Sequence, residues 1–142
     1  MMQTLDRIYE TVLYADRLQE VAEFYQEVMG LKLLSQTDLM LVFSVGPSYL
    51  LIFDPDKSSV DGRLVPSHGA SGAGHIAFTI DEKEMPAWRE RFREAGVEIE
   101  MEVDWSEGKR GRSIYVRDPA NNSIELAPRI LWNYLHRESP SG

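Results

Sequence analysis

The sequence predicts an α+β fold built from two β-α-β-β-β modules, and three observations carry that prediction. The run Gly74-His75-Ile76-Ala77-Phe78-Thr79-Ile80-Asp81 has a counterpart near the N-terminus, Tyr9-Glu10-Thr11-Val12-Leu13-Tyr14-Ala15-Asp16, at a constant offset of 65 residues. Each run is followed by apolar residues at helical spacing and then by three strand-like segments. Between the halves lies a polar stretch rich in Ser, Gly, Pro and Asp. The chain is therefore read as one domain over residues 1–142, with module 1 about 7–55, a connector 56–73, module 2 about 74–128 and a tail 129–142.

In the first half, Ile8 to Ala15 alternates as a strand. Asp16 is placed to cap the next helix, with Gln19 three residues on completing a capping box. Leu18, Val21, Phe24 or Tyr25, and Val28 give the buried stripe, and Gly30 suits the residue after the helix. Leu31 to Leu34, Leu39 to Val45 and Ser48 to Phe53 read as strands, stopped by Asp54-Pro55. The connector that follows is long for a compact domain and so is a candidate to shape a binding site. His68 within it is either an exposed linker histidine, the ordinary reading, or a cover over a pocket.

The second half repeats the order. His75 to Ile80 is a strand, and Asp81 precedes a helix that tolerates Pro86 in its first turn. Met85, Trp88, Phe92 and Ala95 form its apolar stripe, and Gly96 ends it. Val97, Ile99, Met101 and Val103 alternate with Glu98, Glu100 and Glu102, a strand with one solvated face. The basic loop Lys109-Arg110-Gly111-Arg112 leads into a strand from Ser113 to Arg117. Asp118-Pro119-Ala120-Asn121-Asn122 makes a turn in which Asn121 or Asn122 suits a left-handed backbone. Ser123 to Ala127 is the last strand. Ile130, Leu131, Tyr134 and Leu135 suggest a short packed helix, with fraying expected over Ser139 to Gly142.

A net charge of −8 argues against nucleic acid or an anionic membrane as partner. The absence of cysteine excludes disulfides, thiolate metal sites and a thiol nucleophile. No signal-peptide pattern or membrane-length apolar run is present, so a cytoplasmic location is the default expectation.

Strand alternation lets each polar candidate be read with its neighbours. His75 shares a face with Ala77 and Thr79, Glu125 with Ser123 and Ala127, and Glu10 with Val12 and Tyr14. The counterpart of Glu125 in the first half is about Leu51. If the two sheets face one another, Glu10, Leu51, His75 and Glu125 point inward, three of them with oxygen or imidazole donors. Charges within a sheet are costly unless paired, hydrogen-bonded or bound to metal. A divalent cation resolves two carboxylates and a histidine sharing one cavity.

These segments together resemble the vicinal oxygen chelate superfamily, which includes glyoxalase I, bleomycin-resistance proteins, fosfomycin-resistance enzymes, methylmalonyl-CoA epimerase and extradiol dioxygenases. The resemblance runs over residues 7–128 and rests on four segments: Glu10 with Tyr14-Ala15-Asp16-Arg17-Leu18; Phe24-Tyr25 through Val28-Met29-Gly30-Leu31; Gly74-His75-Ile76-Ala77-Phe78; and Gly111 to Pro119 with Ser123-Ile124-Glu125-Leu126. It implies a cup of two module sheets around a metal held by Glu10, His75 and Glu125. Glu10 or Glu125 would serve as proton shuttle, and a homodimer is implied, in some members with modules swapped between chains. Two departures stand out: the first strand supplies Glu10 where histidine is usual, and leucine stands near position 51 where glyoxalase I has Glu or Gln. A standard glyoxalase I is therefore not expected.

The functional expectation is a metal-dependent enzyme that chelates a small oxygenated substrate and stabilises an oxyanion or enolate. The ion is taken from Mn, Fe, Zn or Ni, the oxygen-rich ligand set disfavouring Cu. The alternatives are a metal-free, bleomycin-resistance-type protein that sequesters a drug-like ligand, and a relic whose glutamates make ordinary ion pairs. Tyr49, Phe53 and Tyr115 are candidate substrate-lining residues, against plain core. Arg112, with Lys109, is a candidate for steering an anionic substrate, against a solvated turn. Trp105 is either a stacking or an interface residue.

Overall fold

Each half of the repeat folds into its own four-stranded mixed sheet, as the alternating runs predict. The computed structural model describes residues 2–136, and the chain divides into two compact units, Met1–Gly74 and His75–Gly142.

In the first unit β1 (Glu10–Tyr14) runs parallel to β4 (Ser48–Phe53), which pairs antiparallel with β3 (Met40–Val45), and β3 in turn with β2 (Lys32–Gln36). The register sets Glu10 opposite Tyr49, Val12 opposite Leu51 and Tyr14 opposite Phe53. Leu13, Leu41, Phe43, Leu50 and Ile52 point to the opposite face and are buried. The helix α1 (Leu18–Glu23) and the π-turn that continues it (Phe24–Val28) supply buried Val21, Ala22 and Tyr25. Tyr25 meets Phe43 at 5.6 Å between ring centroids. Each of the larger of these side chains, the valine, leucines, isoleucine and phenylalanine, contributes roughly 1.5–3 kcal/mol by leaving water.

Asp16 does not cap this helix. Arg17 takes the N-cap position in a left-handed conformation (φ 49°), and its carbonyl accepts the first helical N–H groups, from Glu20 and Val21. Asp16 therefore lies one residue too early. Gln19 bonds to Glu23 rather than closing a capping box. Gly30 at φ 75° ends the segment as expected.

The connector holds more structure than its composition suggests. Its start is a one-turn helix α2 (Pro55–Ser58), capped by the Asp54 carboxylate, which accepts the Asp56 N–H at 3.0 Å. The fully buried Ser58 hydroxyl donates to the His68 carbonyl at 2.7 Å, and the His68 N–H donates back to the Ser58 carbonyl at 3.0 Å.

In the second unit β5 (His75–Ile80) is parallel to β8 (Ser123–Pro128), followed by β7 (Arg112–Arg117) and β6 (Met101–Asp104) in antiparallel pairs. A 3₁₀ turn (Glu82–Glu84) leads into α3 (Met85–Glu94), whose Met85 and Phe92 are buried. Ile80, Ile114, Val116, Ile124 and Leu126 form the apolar face of the sheet. Trp88, expected in the core, is only half-buried beside Phe92, with the Arg91 guanidinium over its ring at 5.0 Å. β6 begins at Met101 rather than Val97, because Gly96 (φ 70°) and the Val97 N–H, which donates to Phe92, belong to the helix end. Glu102 is gripped by Arg89 of α3 and Glu100 by Arg117 of β7, so the acidic row is structural.

The β7–β8 turn is held by buried Asp118. Its carboxylate accepts the Ala120 and Asn122 N–H groups, both at 2.9 Å, while Asn121 takes the left-handed conformation (φ 71°). After β8, Leu131 is buried and a 3₁₀ turn spans Asn133–His136. The fraying expected at Ser139–Gly142 lies outside the described residues. Among those described, no helix is long and apolar enough to cross a membrane.

Candidate metal centre

On β5 the residues facing away from the core are His75, Ala77 and Thr79, and all three are exposed. The parallel register sets His75 opposite Ser123 and Ala77 opposite Glu125. His75 and Glu125 are thus diagonal neighbours across a small alanine, and His75 Nε2 lies 3.2 Å from Glu125 Oε1. His75 Nδ1 lies 3.1 Å from the Ser123 carbonyl oxygen and 3.2 Å from its hydroxyl. A carbonyl can only accept, so the proton is assigned to Nδ1. In the neutral ring Nε2 then turns a lone pair toward the carboxylate. Two such electron pairs repel unless a proton or a cation lies between them. Imidazole nitrogen beside carboxylate oxygen, with the second ring nitrogen tied to a backbone carbonyl, is a donor arrangement that fits a divalent ion.

The carboxylate is held from behind. Glu125 is 6% exposed, and its Oε2 accepts the Ser113 hydroxyl at 2.6 Å. Ser113 in turn accepts the Trp105 indole N–H at 2.8 Å. Tyr115 stands opposite Glu125 in the β7–β8 register, with its ring stacked toward that of His75 at 6.2 Å. Burial pushes the Tyr115 hydroxyl above the ordinary phenol range, and the Glu125 charge and hydrogen bond push it further. Tyr115 is therefore a persistent proton donor toward this carboxylate. The partnership of Ser113 and Trp105 with Glu125 is absent from the sequence reading. The available signal was the alternation that puts Ser113 on the face of Tyr115.

Glu10 lies on β1 in the first unit, exposed, on the face that bears Tyr14, Tyr49 and Phe53. Among the described residues no group of three or more His, Asp or Glu side chains is placed to hold one ion. Of the three predicted ligands, the second unit brings His75 and Glu125 together, and Glu10 belongs to the first unit. Leu51 stands opposite Val12 as Glu125 stands opposite Ala77, so the correspondence expected from the repeat is met in the register. Tyr49 packs edge-on against Tyr9 at 5.2 Å. Phe53 is buried and receives His68 edge-on at 4.7 Å. The Tyr14 hydroxyl and His68 Nδ1 are 2.6 Å apart, so His68 is not the exposed linker histidine of the ordinary reading. Arg112 pairs with Asp104 at 3.1 Å and shares its face with Ile114 and Val116, opposite to that of Tyr115. Lys109 is exposed on the β6–β7 loop.

Residues 7–126 match the family model of the Glyoxalase/Bleomycin resistance protein/Dioxygenase superfamily. A crystal structure of lactoylglutathione lyase from Agrobacterium tumefaciens superposes with a TM-score of 0.85 at 36% identity, covering 92% of this chain and 98% of that one. The fosfomycin resistance protein FosX of Listeria monocytogenes, in complex with Mn(II) and sulfate, superposes with a TM-score of 0.66 at 26% identity over 96% of this chain and 98% of its own. The glutathione transferase FosA of Serratia marcescens is 29% identical over 89% of this chain and 81% of its own. The two mixed βαβββ sheets and the matched residues lead to one conclusion: this chain is a member of the Glyoxalase/Bleomycin resistance protein/Dioxygenase superfamily.

Proposed function

We propose that the chain is an enzyme that binds one divalent ion through His75, Glu125 and Glu10 and adds a thiol or water to a small oxygenated substrate of the fosfomycin class. The observation that carries this reading is the His75–Glu125 pair, with Nε2 and Oε1 3.2 Å apart and each group's other polar atom occupied by the fold. When bound, the ion supplies Lewis acidity, polarising the substrate oxygen it chelates. Ser123 orients the imidazole. Ser113 and Tyr115 hold the carboxylate, and the Tyr115 hydroxyl keeps a proton to donate at the site. With Oε2 of Glu125 engaged, Glu10, exposed on its strand, is the carboxylate proposed to move a proton. Tyr49, Phe53 and Tyr115 remain the proposed substrate wall, to which His68 and Tyr14 are added. Arg112 is left out because Asp104 and Glu102 take up its guanidinium.

The Mn(II) complex of the FosX relative and the thiol-transferase names of FosA and FosB relatives support both the ion and the co-substrate class. A cytoplasmic setting, where small thiols are kept reduced, fits that co-substrate. The enzyme is proposed to act as a homodimer. In support, β1 and β5 are edge strands of their sheets, and apolar Leu5, Ile8 and Tyr9 ahead of β1 are exposed. A second reading, a lyase acting on a thiol adduct, is favoured by the 36% identity to the Agrobacterium protein. Leu51 weighs against it by withholding a fourth protein ligand. Metal-free sequestration is the weaker alternative, because a buried carboxylate against an imidazole is a poor wall for a drug-binding cleft.

The test is metal analysis of protein purified without chelators, followed by ³¹P NMR of fosfomycin incubated with the Mn²⁺-loaded protein and glutathione, another small thiol, or water alone. About one ion per chain is expected, lost in Glu10→Ala and in His75→Ala. Full metal occupancy in both variants removes the ligand assignment, and unchanged fosfomycin under all three conditions removes the substrate class.

A further inference from the structure

We infer that Trp105 is a positioning residue for Glu125: through Ser113 it fixes one carboxylate oxygen so that the other is presented beside His75 Nε2. The inference rests on the metal reading proposed above. Its basis is the direction of the hydrogen bonds. An indole N–H can only donate, so the Ser113 oxygen accepts from Trp105 Nε1 at 2.8 Å and its single proton goes to Glu125 Oε2 at 2.6 Å. That short distance is characteristic of a hydroxyl on a carboxylate. With Oε2 held, the carboxylate cannot rotate about its last bond, and Oε1 stays 3.2 Å from His75 Nε2. Ser113 is fully buried, and no buried side-chain polar atom among the described residues lacks a partner.

The β6–β7 loop is built around that indole. The Trp105 backbone N–H donates to the Gly111 carbonyl at 2.9 Å, and the Trp105 carbonyl accepts the backbone N–H groups of Gly108 and Arg110, both at 3.1 Å. Ser106 and Glu107, neither of them glycine, sit in the left-handed region at φ 52° and 54°. Such residues persist only where their surroundings over-determine them. The Arg110 guanidinium lies 6.0 Å over the Trp105 ring and 4.7 Å over the Tyr134 ring, and its Nε donates to Ser106 Oγ at 2.9 Å. Phenylalanine would fill the same space. What it lacks is the N–H.

Two measurements test this, one of them independent of any ion. In ¹⁵N-labelled protein the three tryptophans give three indole signals, with that of Trp105 identified by its loss in Trp105→Phe. Its N–H is expected to exchange about tenfold or more slowly than that of Trp132, which is 57% exposed, and to shift in both Ser113→Ala and Glu125→Gln. Calorimetric titration with Mn²⁺ alone is expected to show affinity reduced by about 10- to 100-fold in Trp105→Phe and in Ser113→Ala. A Trp105 indole that exchanges as fast as that of Trp132 and ignores both substitutions overturns the inference. So does wild-type Mn²⁺ affinity in both variants. If wild type binds no Mn²⁺ while the indole is protected and responds to Glu125→Gln, the positioning of Glu125 stands and the metal reading is what fails.

Discussion

Tyr115 illustrates how a single residue takes its chemistry from its neighbours. Burial raises its hydroxyl above the ordinary phenol range, and the adjacent Glu125 charge adds to the shift. The neutral phenol is the form the fold favours. Its stabilisation is complete below the unfolded tyrosine value of about 10 and is lost as pH rises through the raised one. The unfolding free energy of wild type is therefore expected to fall more steeply above about pH 10 than that of Tyr115→Phe, as read by urea melts at a series of pH values. Parallel slopes would show that Tyr115 ionises as an ordinary surface tyrosine. At this scale His75 and Glu125 were legible, because alternation on two strands is enough to put them on small-residue faces. Ser113 and Trp105 were not. Their reach to Glu125 depends on a cross-strand register and a loop conformation that no local pattern encodes.

The elements show the same division. Strand identities followed from alternation, and β4 and β5 begin and end where the apolar runs do. The start of α1 did not follow, because Arg17 in a left-handed conformation displaced the capping role from Asp16. The β6–β7 loop has a further requirement at Gly111. It sits at φ 81°, and a Cβ there would lie 2.5 Å from Pro128 Cβ, 2.7 Å from its Cγ and 2.9 Å from Glu82 Oε1. Left-handed strain and a clash with the β8 end add together, so Gly111→Ala is expected to cost about 2–4 kcal/mol. A denaturant midpoint within error of wild type would contradict this. Because the Gly111 carbonyl accepts the Trp105 backbone N–H, the same variant should also speed exchange of the Trp105 backbone amide.

At the scale of the whole molecule, the proposed ligand set draws on both compact units, Glu10 on one and His75 with Glu125 on the other. A homodimer in which each site takes Glu10 from one chain and His75 and Glu125 from the other makes a specific prediction. Glu10→Ala and Glu125→Gln chains, each unable to hold Mn²⁺, should regain up to about half the wild-type metal content when co-expressed, since one site of a heterodimer keeps all three ligands. Light scattering should report two chains per particle. No recovery on co-expression would place the three ligands within a single chain.

The sequence by itself determined the two-module α+β architecture and the faces of its strands, and it singled out His75, Glu125 and Glu10 as the donors proposed here, because periodicity and repeat offset are local properties of the chain. It also made Leu51 the first-module counterpart of Glu125, which the strand register bears out. Only the tertiary structure decided which oxygen of Glu125 faces His75, that His68 leaves the connector for Tyr14 and Phe53, and that Trp105 ends on Ser113. Each of these depends on groups distant in sequence meeting within hydrogen-bond or ring contact. Such meetings are fixed by strand register and loop geometry, which alternation alone leaves open.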